Sequence, residues 1–391
     1  MAELKKEFIE FLNTCVDGTW DQNIDGSVSI YGNLNCSAYL KLSPDLNTGY
    51  LPQIIINHIT GDFNCSDNNL LSLKNSPKTV GGSFKCFCNN IVSLEFSPEK
   101  IGLNFDCMYN QIRSLTGSPG IIRGNFILDF NNLENLEGGP EYVGGDYRVS
   151  GNKLNSLSGS PLEIGGSFIC ENNSLTSLLS GPRKVGKSYV CSQNYLENLQ
   201  GSPEKINERF ICSNNKLVSL IGAPREVNLD FDCRNNLLQN LIHSPTKIGQ
   251  SFNAAINKLD SLEGLPIMNI DYLTVTSNKI LDETINLLAK EVTSGISYKV
   301  AIALMWDHID YRDQENLSHF LDYKEVSNFI LHNYSDDPIW TTKIYDRIPV
   351  HIRKRVMEEI KNSLSDKEEK FEQTLENISD LISSGIFDDD I

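Results

Sequence analysis

The stretch Val80–Gly81–Gly82–Ser83–Phe84–Lys85–Cys86–Phe87–Cys88–Asn89–Asn90–Ile91–Val92–Ser93–Leu94–Glu95–Phe96–Ser97–Pro98–Glu99–Lys100–Ile101 decides the fold of this 391-residue chain, because the chain repeats it. Prolines fall at Pro77, Pro98, Pro119, Pro140, Pro161, Pro182, Pro203, Pro224, Pro245 and Pro266, a constant step of 21 residues. Aromatic residues keep the same step from Phe63 through Phe84, Phe105 and Phe126 to Phe252, and an asparagine follows each of them, from Asn68 to Asn257. A fixed period of this size marks a solenoid, in which one supersecondary unit is stacked on copies of itself.

Each position in the unit has a physical role. Phe84 and Cys86 alternate as on a short strand with one buried face. Asn89 turns the chain, its amide satisfying backbone groups that a bend leaves unpaired, and stacked asparagines are placed to bond the neighbouring coil. Ile91, Leu94 and Ile101 fill the interior. Ser97–Pro98 fixes an extended or turn conformation on the outer side. Glycines recur four residues after proline, at Gly81, Gly102, Gly144, Gly165, Gly186 and Gly249, where the return path is expected to need positive φ.

The spacing L-x-x-L-x-L-x-x-N-x-L resembles a leucine-rich repeat. Asn173–Ser174–Leu175–Thr176–Ser177–Leu178 followed by Gly181–Pro182 is similar to the short bacterial type found in secreted virulence effectors. Similar Gly-Ser-Pro repeats occur in proteins encoded by large bacteriophages. The resemblance covers roughly residues 28–280 and departs from the effector pattern in using Ser-Pro or Gly-Pro for Leu-Pro and in placing aromatics at the first strand position. It implies an α/β leucine-rich-repeat solenoid whose parallel sheet is concave, with irregular proline-bearing turns outside. It also implies a protein-binding role. Such effectors often carry a C-terminal ubiquitin-ligase domain with a cysteine nucleophile, but no cysteine follows Cys233 here.

Three segments are expected: an N-terminal helical cap at 1–24, the solenoid at 25–280 with irregular first repeats at 25–62, and an acidic helical C-terminal domain at 281–391. Residues 3–15 place Leu4, Phe8, Ile9, Phe11 and Leu12 near one helical face, and Asp17–Gly18 ends that helix. Val28–x–Ile30–x–x–Asn33 reads as a degenerate strand and turn, followed by a protruding loop around Ser43–Pro44 and Gly49–Tyr50–Leu51–Pro52. Leu273–x–Val275–x–x–Asn278–x–Ile280 gives the last strand and turn. Helices are then expected at 281–293, 297–309, 314–333 and 351–384, with Ser365 as a cap. Ile352, Val356, Met357, Ile360 and Leu364 form one apolar stripe that Phe371, Leu375, Ile378 and Ile382 continue.

Lysine and arginine number 34 against 51 aspartate and glutamate, a net charge of −17. That argues against general nucleic-acid binding, which needs a basic face to neutralise phosphate, and permits a basic partner or mimicry of nucleic acid. From residue 267 onward the net charge is −11, and the chain closes on Asp388–Asp389–Asp390. Seven of the ten cysteines share one register slot with Leu128, Val149 and Ala254. A slot shared in that way is a small apolar core position, so free buried thiols and a reducing, cytoplasmic setting are expected. Met1–Ala2–Glu3–Leu4–Lys5–Lys6–Glu7 shows no signal peptide, and no run is apolar enough to span a membrane.

No catalytic, cofactor or metal site emerges. Cys15, Cys36 and Cys88 lie outside the register and none neighbours a histidine; no histidine pair has helical zinc spacing. Asp336–Asp337 and Asp388–Asp389–Asp390 read as solvated acidic turns. The outward strand positions, in order, are Asn64, Lys85, Asp106, Ile127, Arg148, Ile169, Val190, Ile211, Asp232 and Asn253. Their apolar centre, bordered by Phe87, Met108, Tyr109, Phe130 and Arg234, has the layout of a protein-binding surface. β-Propensity alone also places Ile and Val on strands, and a C-terminal segment folded back over the stripe is a further arrangement. The leading expectation is a cytoplasmic, non-enzymatic scaffold that binds another protein, encoded by a phage and inhibiting or modulating a host or defence protein if the bacteriophage resemblance is followed. The alternative is an effector with an enzymatic C-terminal helical domain.

Overall fold

The computed structural model describes residues 4–43, 45–265, 272–279, 282–293, 295–309, 313–314, 317–334, 348 and 350–364. Pro266, Ile280, Asp336–Asp337, the Ser365 cap, the stripe from Phe371 to Ile382 and Asp388–Asp389–Asp390 lie outside the described residues. The chain forms two compact units, one of Met1–Leu237 with Lys247–Asn253 and one of Leu238–Thr246 with Ala254–Ile391.

In the first unit the repeat becomes a coil. The aromatic of each repeat opens a two-residue strand: Phe63–Asn64, Phe84–Lys85, Phe105–Asp106 and so on to Phe231–Asp232, then Ser251–Asn253. These strands pair in parallel and in register, aromatic beside aromatic, as at Phe84↔Phe105 and Tyr147↔Phe168. The paired rings make a continuous spine from Phe63 to Phe252, with centroids 5.2 to 5.8 Å apart. Coil spacing accounts for this, since neighbouring strands lie ~4.8 Å apart. The cysteine slot and the two leucine positions of each coil are buried beside the spine.

The asparagines bond coil to coil. Asn110 donates through Nδ2 to the carbonyls of Cys107 and Met108 in its own coil (3.0 and 3.3 Å) and of Cys86 in the previous one (3.0 Å). Its Oδ1 accepts from the backbone N–H of Ile91 at 3.0 Å. Asn131, Asn173, Asn194 and Asn236 repeat the pattern. The turn thus spends every polar group of a buried amide on backbone that would otherwise be orphaned. A second polar ladder precedes the aromatic: Asn104 Oδ1 accepts from Asn125 N, and Asn125 Oδ1 from Asp146 N, each at 2.8 Å.

Three expectations require correction. The outer side is not wholly irregular: from Pro77 to Pro245 the second and third residues after each repeat proline form short strands that pair in parallel across coils. Ile121–Ile122, Tyr142–Val143, Glu163–Ile164 and Lys184–Val185 make one such sheet, and Lys205–Ile206, Glu226–Val227 and Lys247–Ile248 another. One residue in each strand is buried, so this wall closes the core opposite the aromatic spine.

The glycines four residues after proline do not have positive φ. They are needed for contact: a Cβ at Gly102 would run into the carbonyl oxygen of Gly81, and one at Gly186 into that of Gly165. Positive φ instead occurs two residues before proline, at Gly117, Gly138, Gly159, Gly201, Gly222 and Gly264, and also at Asn75, Phe96, Ser180 and His243.

The first coil is read one element out of register. Leu34 and Asn35, not Val28 and Ser29, pair with Phe63 and Asn64, while Val28 and Ile30 pair with Ile56 and Ile59 of the second wall. One long strand, Val28–Asn35, therefore serves both walls. The extra residues form a short helix, Tyr39–Leu42, whose Leu40 N–H is received by Asn68 Oδ1 at 2.8 Å. The N-terminal helix Lys6–Cys15 buries Phe11, Leu12 and Cys15. It does not stop at a turn but runs into Val16–Gln22, which pairs antiparallel with Val28–Asn35.

The second unit carries helices Asp282–Thr293, Tyr298–Met305, Tyr323–Tyr334 and Val350–Leu364. Ile352, Val356 and Ile360 pack with Val300, Leu304, Val326 and Ile330 in one core. Ser327 Oγ donates to Val356 O at 3.0 Å, tying two helices. Tyr298 lies against Ser261 and Leu262 of the last coil, and its burial pushes the phenol up to about 12.

Candidate partner-binding face

The outward side chains of the large sheet line up because the strands are in register. Ile127 stands beside Arg148, Arg148 beside Ile169, Ile169 beside Val190 and Val190 beside Ile211. All are half-buried, each flanked by the coils on either side. Polar residues bound the run: Lys85 and Asp106 at one end, Asp232 at the other.

Charges along the face are largely fixed by ion pairs. Arg148 Nε meets Asp129 Oδ2 at 2.8 Å, and the other oxygen of Asp129 accepts from Ser150 N at 2.8 Å. Asp129 is buried, so the ion pair anchors Arg148 to the face. Lys85 meets Asp62 at 3.4 Å and Arg234 meets Asp232 at 3.4 Å. Burial raises the carboxyl pKa of Asp232, and the Arg234 N–H and guanidinium oppose that rise.

The border residues divide into two rows. Phe87 and Met108 are half-buried in the row three residues after the aromatic, the same row as exposed Arg234. Tyr109 and Phe130 occupy the next row and are exposed; their rings stack at 4.6 Å with an interplanar angle of 6°. All ten residues expected at the face are therefore on or beside its outer surface. Two features were not anticipated. One is the isolation of Asp106, developed below. The other is a pair of exposed apolar side chains on the second wall, Ile121 and Tyr142. Its signal was present in the sequence, because the same strand position carries Lys100, Glu163, Lys184, Lys205, Glu226 and Lys247 in other coils.

The cysteines are free thiols, nine buried and Cys88 exposed. Cys86 and Cys107 Sγ atoms approach to 3.0 Å, a thiol–thiol hydrogen bond rather than a bond of ~2.05 Å. Burial raises their pKa, which leaves them poor nucleophiles. Among the described residues no group of three or more His, Cys, Asp or Glu is placed to hold a metal ion, and no helix is long and apolar enough to cross a membrane.

Two solved structures align with part of this chain. YopM from Yersinia enterocolitica WA-314 aligns with 24% identity and a TM-score of 0.48 over 60% of this chain and 49% of its own. The leucine-rich effector protein YopM from Yersinia pestis aligns with 16% identity and a TM-score of 0.31, over 63% of this chain and 83% of its own. The aligned part spans about half the length of the Yersinia enterocolitica protein. No family model matches the chain, and no curated protein does.

Proposed function

We propose that this protein is a non-catalytic scaffold that seats a partner protein on the outer face of its large sheet. The observation that carries the reading is the side-by-side run Ile127, Arg148, Ile169, Val190 and Ile211, apolar in four of five positions where the flanking coils use Asn, Lys and Asp. An apolar centre with a charged rim excludes water from the middle of a contact and keeps the uncomplexed face soluble. Strand propensity gives these apolar residues a reason to be in strands, but not a reason to gather in one stretch of the face. A finer reading, a phage-encoded inhibitor or modulator of a host or defence protein acting in the bacterial cytoplasm, rests on the Ser-Pro and Gly-Pro repeats alone.

Affinity capture from bacterial lysate, with the intact chain beside the Ile169→Asp/Ile211→Asp double variant, tests the proposal. Partners held by the face are lost from the variant while its melting temperature stays near that of the parent. If every captured partner survives the double substitution, the face is not the binding site.

A further inference from the structure

At one end of the apolar run the structure holds a carboxylate and two aromatic rings that folding does not account for. Asp106 is half-buried, and its Oδ1 accepts from Met108 N at 3.1 Å. The cations near it are engaged elsewhere: Lys85 with Asp62 and Arg148 with Asp129. Burial raises the Asp106 carboxyl pKa; nearby Asp129 adds to the rise, while the Met108 N–H, Lys85 and Arg148 oppose it. A carboxylate with a raised folded-state pKa withdraws stability as pH rises through that value. The charged form of Asp106 is thus held at the expense of stability.

The rings show the same expense. Tyr109 and Phe130 have φ of 54° and 57°, in the left-handed region. Equivalent positions in other coils hold Gly151, Asn172, Asn214 and Asn235, which tolerate this conformation, but also Asp67, Cys88, Gln193 and Ile256. The left-handed turn belongs to the repeat itself, since it occurs at this position in every coil from Asp67 to Ser277; an exposed aromatic fits it less well than Asn or Gly and gains little burial there. The pair is also built to stay in place: the Phe130 ring lies over Gly151, where a Cβ would meet Phe130 Cδ1 at 2.6 Å.

We propose that Asp106 together with the Tyr109–Phe130 stack forms a receptor for an arginine side chain on a basic segment of the partner protein. This deepens the scaffold reading and rests on it. A guanidinium is planar and weakly hydrated, so it lies on an aromatic face while its N–H edge meets a carboxylate. An ammonium is more strongly hydrated and offers no flat face. The net charge of −17 draws basic segments to the protein over longer range. It also disfavours the other ligand that stacks on rings, a single-stranded nucleic acid.

Fluorescence anisotropy at 150 mM salt with the full chain tests the receptor, using labelled octapeptides of alternating Gly-Arg and Gly-Lys and a labelled dodecathymidylate. The Arg peptide is expected to bind at least fivefold tighter than the Lys peptide. Tyr109→Asn/Phe130→Asn and Asp106→Asn each weaken it at least fivefold. These variants keep the fold: asparagine is already used at the ring position, and its amide oxygen still accepts from Met108 N. Their unfolding midpoints at pH 7 equal or exceed that of the parent. Glu134→Gln, which removes one negative charge from another wall, leaves binding unchanged. Equal affinity for the two peptides, no binding of the Arg peptide, or full affinity in Asp106→Asn overturns the proposal, as does preferential binding of the oligonucleotide. If it fails while Ile169→Asp/Ile211→Asp still abolishes capture, only arginine recognition is lost. If capture is also unaffected, the scaffold reading falls with it.

Discussion

Phe96 has φ of 67° and an exposed ring, two residues before Pro98, where six other coils place glycine. The left-handed backbone costs a non-glycine residue about 1 kcal/mol, partly offset by the greater unfolded-state freedom of glycine. Phe96→Gly should therefore raise the denaturation midpoint, by up to ~1 kcal/mol; a lowered midpoint would show that the ring contributes packing. Glycines were only half legible in the sequence, because close approach and positive φ both select for glycine and leave the same mark. The structure separates them: Gly102 is required by the Gly81 carbonyl and Gly117 by its φ of 91°. A subtler signal was also available. Tyr147 and Tyr189 replace phenylalanine where the preceding coil has Gly139–Pro140 or Gly181–Pro182 instead of Ser-Pro or Ala-Pro. Their hydroxyls fill the missing side-chain volume, 3.6 and 3.3 Å from where a Cβ would stand.

At the scale of the element, the coil was legible wherever the period held, because strand, asparagine turn and leucine wall each recur at a fixed place. It was not legible at residues 16–62. There one strand, Val28–Asn35, pairs with both walls and with Val16–Gln22, so no single offset aligns it with later coils. The cysteine slot gives this scale its test. Nine of ten thiols are buried, with desolvation raising the pKa of each one in the slot, as at Cys65, Cys170 and Cys212. At pH 8 a disulfide reagent should titrate one thiol, Cys88, in the native protein and all ten after denaturation. Burial and the carboxylates of Asp67 and Asp106 raise the Cys88 pKa as well, so its reaction is slow for an exposed cysteine. Rapid native titration of several thiols would contradict the stacked core.

Across the molecule, the outward positions of the face were legible because strand alternation assigns a side to each residue. Asp106 was visible only as one rim residue among several, since its lack of an ion pair depends on Lys85 and Arg148 being engaged with Asp62 and Asp129. The claim underlying the whole account is that the register divides each coil into residues that hold the solenoid and residues that are free to bind. Asn173 and Ile169 lie four positions apart in one coil and fall on opposite sides of that division. Asn173 Nδ2 serves the carbonyls of Val149, Cys170 and Glu171, and Oδ1 serves Leu154 N. Truncating it orphans several buried groups, at ~1–3 kcal/mol each. The measurement is chemical denaturation of Asn173→Ala and Ile169→Asp beside the parent. The account predicts a loss above about 2 kcal/mol for Asn173→Ala and a change within about 1 kcal/mol for Ile169→Asp, the span of strand propensity. Equal losses in the two variants, or the larger loss in Ile169→Asp, would contradict it.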